Sequence, residues 1–534
     1  MSIHHIPYQE TGYYSKLICD YLEQKDALKS FYGNFPNLEN FKEQIEQKQF
    51  AEENREVLVK AVRNQYKNID LHDAVDNALN RLALPNTFTV TTGHQLNLFT
   101  GPLYFLYKIV STINLAKQLS RTYPEQDFVP VYWMATEDHD FEEINYFNFR
   151  GKKIKWNRAD IQDNDKGAVG ELSTEGLSEV YQLICSEFGT TKKGTSLCTL
   201  FEEAYLKHDN LTEATRFLAN SLFAAYGLII VDGNDADLKR VFMPYLKQEL
   251  LEQKAFDTVQ KQAEALQKAG YGVQVNAREI NLFYLADGLR ERIIEKEGSF
   301  FVNDTELKFS KEELLLELEN HPERFSPNVI MRPLYQEVIL PNLAYIGGGG
   351  ELAYWLELKT FFDEVEVQFP MLMLRNSALL ITDKQQQKLE KLDLSIADLF
   401  LDQNDLVNRK IRKISNIDID FSPQKQHLVR QFEALYNIAE ETDASFIGAV
   451  KAQEVKQLKG LEHLEKRLLK AQKKKLSDHV KRFVAIQNEL FPQENLQERT
   501  TNFSEFYLEY GDRLLEDLFE ALDPLDYRFT ILSK

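Results

Sequence analysis

Residues from about 13 to 83 carry apolar and aromatic positions spaced among Lys, Glu and Gln, with few Gly or Pro. That pattern predicts several helices ending at "LALPNTF". The period then changes. "TFTVTTG" is short and β-branched, "GPLYFLYKIVSTINLAKQLS" is helical, and "FVPVYWMA" is a strand again, which together make a β-α-β unit. In the helix, Pro102 falls in the first turn, where its missing N–H costs nothing, and Leu103, Leu106, Val110 and Ile113 share one face, with Lys108 in mid-helix. "YGLIIVDG" and "MLMLRNSALLIT" read as further strands separated by long helical stretches, so parallel pairing through helical crossovers is the economical topology. The predicted fold class is α/β, a Rossmann-like doubly wound core with helical insertions.

From roughly Gln386 onward the pattern is helical, with Leu428, Phe432 and Leu435 at helix spacing. Between 451 and 486, Val455, Leu458, Leu461, Leu464 and Leu468 recur at near-heptad steps, "KKK" at 473–475 interrupts, and the pattern resumes at Leu476, Val480 and Phe483. This predicts a coiled-coil hairpin or zipper; the plainer alternative is a long amphipathic helix packed on its own domain. The predicted organisation is a helical segment over 1–84 packed on the core, a core over 85–383, and a helical coiled-coil domain over 384–534. The apolar end of "DPLDYRFTI" reads as a tail docked back on the body.

A chain of 534 residues exceeds one ordinary core, and 43% hydrophobic residues rule out disorder. The net charge of -20 argues against nucleic acid, since binding a phosphate backbone needs a basic surface. No stretch approaches the apolar length of a membrane span. Cys19, Cys185 and Cys198 are too few to staple such a chain and too far apart for a zinc knuckle, which points to a reducing cytosol, and the protein is expected to be cytoplasmic.

Polar clusters fall where predicted strands end, the edge at which open parallel sheets bind ligands. "TTGHQLN" offers Thr92, Gly93, His94, Gln95 and Asn97; "TEDHD" offers Glu137, Asp138, His139 and Asp140; "VDGNDAD" offers Asp232, Asn234 and Asp235. Each could be an ordinary polar loop, but three such clusters at one edge point to a site. Asp138, His139, Asp140 and His94 are acceptable metal ligands, yet neighbours on an irregular loop rarely converge on one ion, and no metal is expected. Gly347, Gly348, Gly349 and Gly350 precede a helix expected to open at Glu351, a geometry able to cradle an anion, although Lys-Ser/Thr and the dinucleotide spacing are missing. Arg332, Gln336 and Glu337 lie upstream and could line the same cleft.

At "TGHQLNLFTGPLYFLYK", "VPVYWMATEDHDFEEIN", "RPLYQEVILPNLAYIGGGGELAYW" and "NLQERTTNFSEFYLEYGDRLLEDLFEALDPLD" the chain closely resembles the bacillithiol-biosynthesis family BshC, from "IPYQETGYYSKL" to the final "DPLD". The resemblance implies a cysteine ligase joining L-cysteine to glucosaminyl-malate, a coiled coil that forms a homodimer, and binding of a nucleotide, ATP or ADP. The chain departs from the family at "TGHQ", where His94 replaces the usual glutamine, and at "GGGGE", where the family carries "GGPGE" or "GGPAE". The HIGH and KMSKS signatures of adenylate-forming relatives are not intact.

Amide formation in water requires the acyl oxygen to become a leaving group, and so an anion cradle, an ammonium clamp and a base. The cradle is expected at Gly93 and 347–350, the ammonium or sugar clamp at Glu137, Asp138 and Asp232, and proton transfer at His94 or His139. The rival readings are a non-catalytic coiled-coil scaffold and a metal-dependent hydrolase of a sugar conjugate.

Overall fold

The computed structural model describes residues 2–158 and 167–533. The chain divides into two compact units, one comprising residues up to Leu379 with Gln497–Leu532, the other Leu380–Leu496 with the last residues.

The first unit is built on a five-stranded parallel sheet: β1 (Thr87–His94), β2 (Asp127–Met134), β3 (Ile229–Asp232), β4 (Asn342–Gly347) and β5 (Met371–Leu374), in the order β5-β4-β1-β2-β3. The chain runs outward from β1 to β3, then returns to place β4 on the other side of β1. This is the doubly wound order, and it puts the topological switch point between β1 and β4. Strand β1 is buried along its whole length, as expected of a strand covered on both faces. Three of its threonines hold β4: Thr89 and Thr91 donate to Asn342 Oδ1 at 3.2 and 2.8 Å, and Thr92 donates to the Ile346 carbonyl at 2.7 Å.

Helix α1 (Tyr104–Thr122) crosses from β1 to β2 and buries Leu106, Val110 and Ile113, with Leu103 buried at its N-cap. Helices α2 (Ala236–Glu252), α3 (Met331–Ile339) and α4 (Gly349–Trp355) follow. The expected helical prefix comprises Lys16–Leu22, Asn40–Gln47, Glu52–Gln65 and Asp73–Leu82.

Three stretches differ from the sequence reading. β4 was not among the predicted strands: Ala344–Ile346 pair on both edges, and Gly347, the first residue of the expected glycine run, ends the strand. Between α2 and α3 lies a five-stranded antiparallel sheet, with Leu282–Ala286 and Leu289–Lys296 as its central hairpin, in place of an all-helical insertion. "MLMLRNSALLIT" is also two strands rather than one; the second opens at Ala378 and shares a three-stranded sheet with Ser2–Pro7 and the tail Arg528–Ser533. In the tail, Thr530 N–H donates to the Ser377 carbonyl. Cys185 and Cys198, read from sequence as unpaired, form a disulfide between the consecutive helices Leu177–Phe188 and Lys192–Tyr205, with Cα atoms 5.6 Å apart. Cys19 is free.

The second unit is helical. Ser422–Glu440 and Ala444–Lys475 form an antiparallel hairpin, with Tyr436 donating to Glu454 at 2.8 Å and Lys425 paired to Glu465 at 2.7 Å. The long helix stops after the lysine triplet and a new one runs over Ser477–Leu490. Leu468, Leu476 and Val480 pack on Val407, Ile411 and Ile419, so part of the heptad run serves the interior of this unit.

Candidate functional site

Register alone gathers the three polar clusters. His94 pairs with Met134 and Met134 with Asp232, so the loops after β1, β2 and β3 leave the sheet along one line at its carboxyl edge. Beyond that edge is a cavity of about 300 Å³, lined by Gly93, His94, Gln95, Glu137, Asp138, Arg332 and Glu351 among the residues singled out from sequence. Trp133, Thr136, Arg290, Tyr345 and Tyr354 line it as well.

Gly93 sits at the switch point, where a side chain would be tightly crowded. A Cβ there would stand 3.2 Å from the Tyr345 hydroxyl, and its carbonyl accepts from Lys108 Nζ at 2.6 Å. Lys108, the buried mid-helix lysine of α1, also meets Glu351 at 2.7 Å. Burial lowers the Lys108 pKa, opposed by Glu351. The second carboxylate oxygen of Glu351 accepts the Gly348 N–H at 2.6 Å. The glycine run therefore does not present an open anion cradle. Gly347 closes β4, Gly349 and Gly350 form the first turn of a seven-residue helix, and the Glu351 carboxylate occupies the position an incoming anion would need.

Asp138 is a carboxylate in the native state. Burial alone would raise its pKa, but hydrogen bonds from His139 and Gln95 and the nearby Arg290 hold it well below the usual carboxylate range. Gln95 Nε2 donates at 2.9 Å and the His139 backbone N–H at 2.8 Å. Glu137 is neutralised by Lys239 at 2.5 Å. His94 is buried between Tyr104 and Phe105, with Nε2 lacking a partner. Burial, then the charges of Lys108 and Arg375, push its pKa well below the ordinary histidine value, so the imidazole is neutral and a weak base.

Arg332, on α3, donates to Gln336 at 3.1 Å and lies over Trp133 and Tyr345. Gln336 is itself fixed by donating to Glu337, which pairs with buried Lys48. Sequence reasoning missed Arg290, because nothing in "LRERIIEK" marks one arginine of a strand as facing the cleft. Tyr345 is equally unmarked, because the glycines that follow it read as a loop.

The other predicted residues are placed outside the cavity wall. Thr92 is bonded to β4, and Asn97 donates to the Glu143 carbonyl. Asp140 caps the short helix Phe141–Ile144. Asp232 accepts from Thr136 at 2.5 Å and from the Asn234 N–H. His139 Nδ1 faces Arg290 Nη1 at 3.0 Å and lies 3.5 Å from Asp138 Oδ1. Among the described residues, no group of three or more His, Cys, Asp or Glu side chains is placed to hold a metal ion, and no helix is long and apolar enough to cross a membrane.

Residues 1–376 match the model of the "Bacillithiol biosynthesis BshC, N-terminal Rossmann-like domain", and residues 378–534 that of the "Bacillithiol biosynthesis BshC, C-terminal coiled-coil domain". A Flavobacterium johnsoniae protein named "Putative cysteine ligase BshC" is 60% identical, covering 99% of each chain. Proteins of the same name are 38% identical in Cytophaga hutchinsonii, over 99% of this chain and 98% of theirs, and 30% identical in Bacillus thuringiensis, over 94% and 96%. A solved Campylobacter jejuni chain titled "putative arginyl t-RNA synthetase" is 10% identical at a TM-score of 0.22, covering 89% of this chain and 99% of its own, a likeness too low to carry an argument.

Proposed function

We propose, from the premise that this chain belongs to the BshC family of bacillithiol biosynthesis, that it is a ligase forming the amide bond between L-cysteine and the amino group of glucosaminyl-malate. The observation that carries the reading is end-to-end kinship at 60% identity with a protein named as a cysteine ligase. The cavity at the switch point supports it, because it offers both signs of charge along one wall-lined cleft.

A bound nucleotide would supply the leaving group on the cysteine carboxylate, as phosphate or as AMP. The 347–350 run does not fit its phosphates, since Glu351 already caps that helix, and no step is assigned to residues there. What the chain contributes is orientation and charge. Asp138, ionised at neutral pH, holds the ammonium of an amine substrate and accepts a hydrogen bond as the amine attacks. His94, neutral and with a free Nε2, accepts a hydrogen bond rather than storing a proton. Gln95 fixes the Asp138 carboxylate, and Trp133, Tyr345 and Tyr354 add aromatic surface to the cavity wall.

The purified protein, given L-cysteine, glucosaminyl-malate, ATP and magnesium, should yield bacillithiol by mass spectrometry, and the nucleotide product would distinguish ADP from AMP release. A deletion strain should lose bacillithiol and accumulate glucosaminyl-malate. Normal bacillithiol in that strain would remove the assignment.

A further inference from the structure

Cys185 and Cys198 lie outside the cavity wall, but each stands one helical turn before a side chain that grips the loop after His94. Residues three or four apart share a helix face, so Cys185 shares one with Phe188, and Cys198 shares one with Phe201, which is followed a turn later by Tyr205. The Phe188 and Phe201 ring centres are 6.1 and 5.5 Å from that of Phe99, and the Tyr205 hydroxyl accepts the Phe99 N–H at 2.8 Å. Phe99 has a positive φ of 49° and lies in the turn just beyond Gln95, the residue that holds Asp138. The Cys185–Cys198 bond therefore joins the two helical turns between which Phe99 is held.

The helices do not need that bond to meet. They are consecutive, and Gly194 packs so closely on the end of the first helix that a Cβ there would stand 2.5 Å from the Phe188 carbonyl oxygen. Ile184, Phe188, Leu197 and Phe201 are buried. The two cysteines are only 13 positions apart, so their bond constrains the unfolded chain less than a long-range staple would. Access to the two sulfurs is unequal. Cys185 is half-buried and Cys198 only 9% exposed, so a small reagent reaches Cys185 and Cys198 is the inner partner.

We propose that Cys185 and Cys198 form a reversible dithiol–disulfide site that exchanges with low-molecular-weight disulfides, and that its oxidised form clamps the turn at Phe99. In oxidation, the Cys185 thiolate attacks one sulfur of the small disulfide, releasing one small thiolate and leaving a mixed disulfide on Cys185. The Cys198 thiolate then attacks Cys185 Sγ and expels the second small thiolate. The protein gives up two electrons and two protons, and the small disulfide becomes two thiols. A small dithiol reverses both steps. In the reduced form the helices are joined only by their turn and their packing, and the grip on Phe99 loosens. The proposal does not depend on which reaction the cavity performs.

The test uses the full-length protein, reduced with dithiothreitol, freed of it and treated with L-cystine, with each cysteine followed by differential alkylation and peptide mass spectrometry so that Cys19 is read separately. The bond should form with release of two cysteine molecules per protein, and should reopen in dithiothreitol while circular dichroism shows the fold intact. Cys198→Ser should stop at cysteinylated Cys185, and Cys185→Ser should leave Cys198 largely unmodified. Hydrogen exchange gives a second readout: the Phe99 amide should exchange at least about threefold faster in the reduced than in the oxidised parent. That comparison needs no substitution, so it holds even where a serine variant melts early. Failure of the native protein to form the bond, a bond that opens only on unfolding, or a Phe99 amide indifferent to the redox state would each overturn the proposal. Failure to make bacillithiol would defeat the ligase reading and leave these results standing.

Discussion

Asp138 is the residue on which the local argument is most exposed. Its two oxygens are held by Gln95 and His139, so Asp138→Asn keeps the size and much of the hydrogen bonding of the loop while removing the charge. Turnover efficiency should fall about tenfold to a hundredfold, on the scale of one charge-assisted contact, with the melting temperature little changed. Equal losses of folding and activity per total protein, with full activity per folded molecule, would make the loop structural. Glu357 offers a titration away from the cavity. It is fully buried, its Oε1 accepts the Gln274 N–H at 2.6 Å, its Oε2 has no partner, and burial pushes its pKa up to about 7. The folded state then holds a proton that the unfolded chain releases near the usual glutamate value, so this group's stabilising contribution is complete in acid and is lost as pH rises through about 7. Glu357→Gln should therefore gain on the parent by on the order of 2 kcal/mol between pH 5 and pH 8, read as diverging melting temperatures. A pH-independent difference would show that Glu357 does not titrate there. At this scale the acidic and amide residues after β1 and β2 were legible in the sequence, since polar groups ending an apolar run need a reason. Arg290 was not, because its place depends on the pairing of a hairpin distant in sequence from the other lining loops.

At the scale of elements, the turn between β1 and α1 shows what sequence periodicity cannot carry. "NLFTG" holds three consecutive residues at positive φ, Phe99, Thr100 and Gly101, at 49°, 69° and 63°. For Phe and Thr that region is strained, by roughly 1–3 kcal/mol each, and something must hold it. Asn502, fully buried, donates to the Phe99 carbonyl at 2.8 Å and the Gly101 carbonyl at 2.6 Å, and the Tyr205 hydroxyl accepts the Phe99 N–H at 2.8 Å. The motif "TTNFSEF" near the far end of the sequence thus shapes the loop that follows His94. Asn502→Ala should cost about 2–4 kcal/mol in chemical denaturation and should also reduce turnover, because the relaxed turn shifts Gln95 and Asn97. A loss below about 0.5 kcal/mol would mean that the turn is stable without it. The parallel strands β1, β2 and β3 were readable because buried parallel strands leave continuous apolar or β-branched runs. β4 was not, since the glycines that end it mimic a loop, and the antiparallel insert was not, since its alternation is broken by "ERIIEK".

Across the whole molecule, the sequence marked the break in the long helix: it stops after Lys475, where the lysine triplet interrupts the heptads. What the heptads face was only half legible. Leu468 packs inside its own unit on Val407 and Ile411, whereas Val455 and Leu464 are 43% and 53% exposed, with Leu435 and Ile438 on the neighbouring helix at 41% and 56%. An apolar stripe of this kind on a hairpin is a surface that a second copy of the chain would cover, and the homodimer expected from the heptads is proposed to form there. The distinction decides which substitution is informative. Leu468→Glu would place a charge against the buried cluster of Val407, Ile411 and Ile419 and destabilise the unit whatever the oligomeric state. Val455→Glu with Leu464→Glu changes only exposed positions, so the protein should fold, melt within a few degrees of the parent and elute as a monomer. Light scattering that still reports a dimer for this double variant would place the interface elsewhere, and a monomeric parent would show that the stripe is not used for self-association.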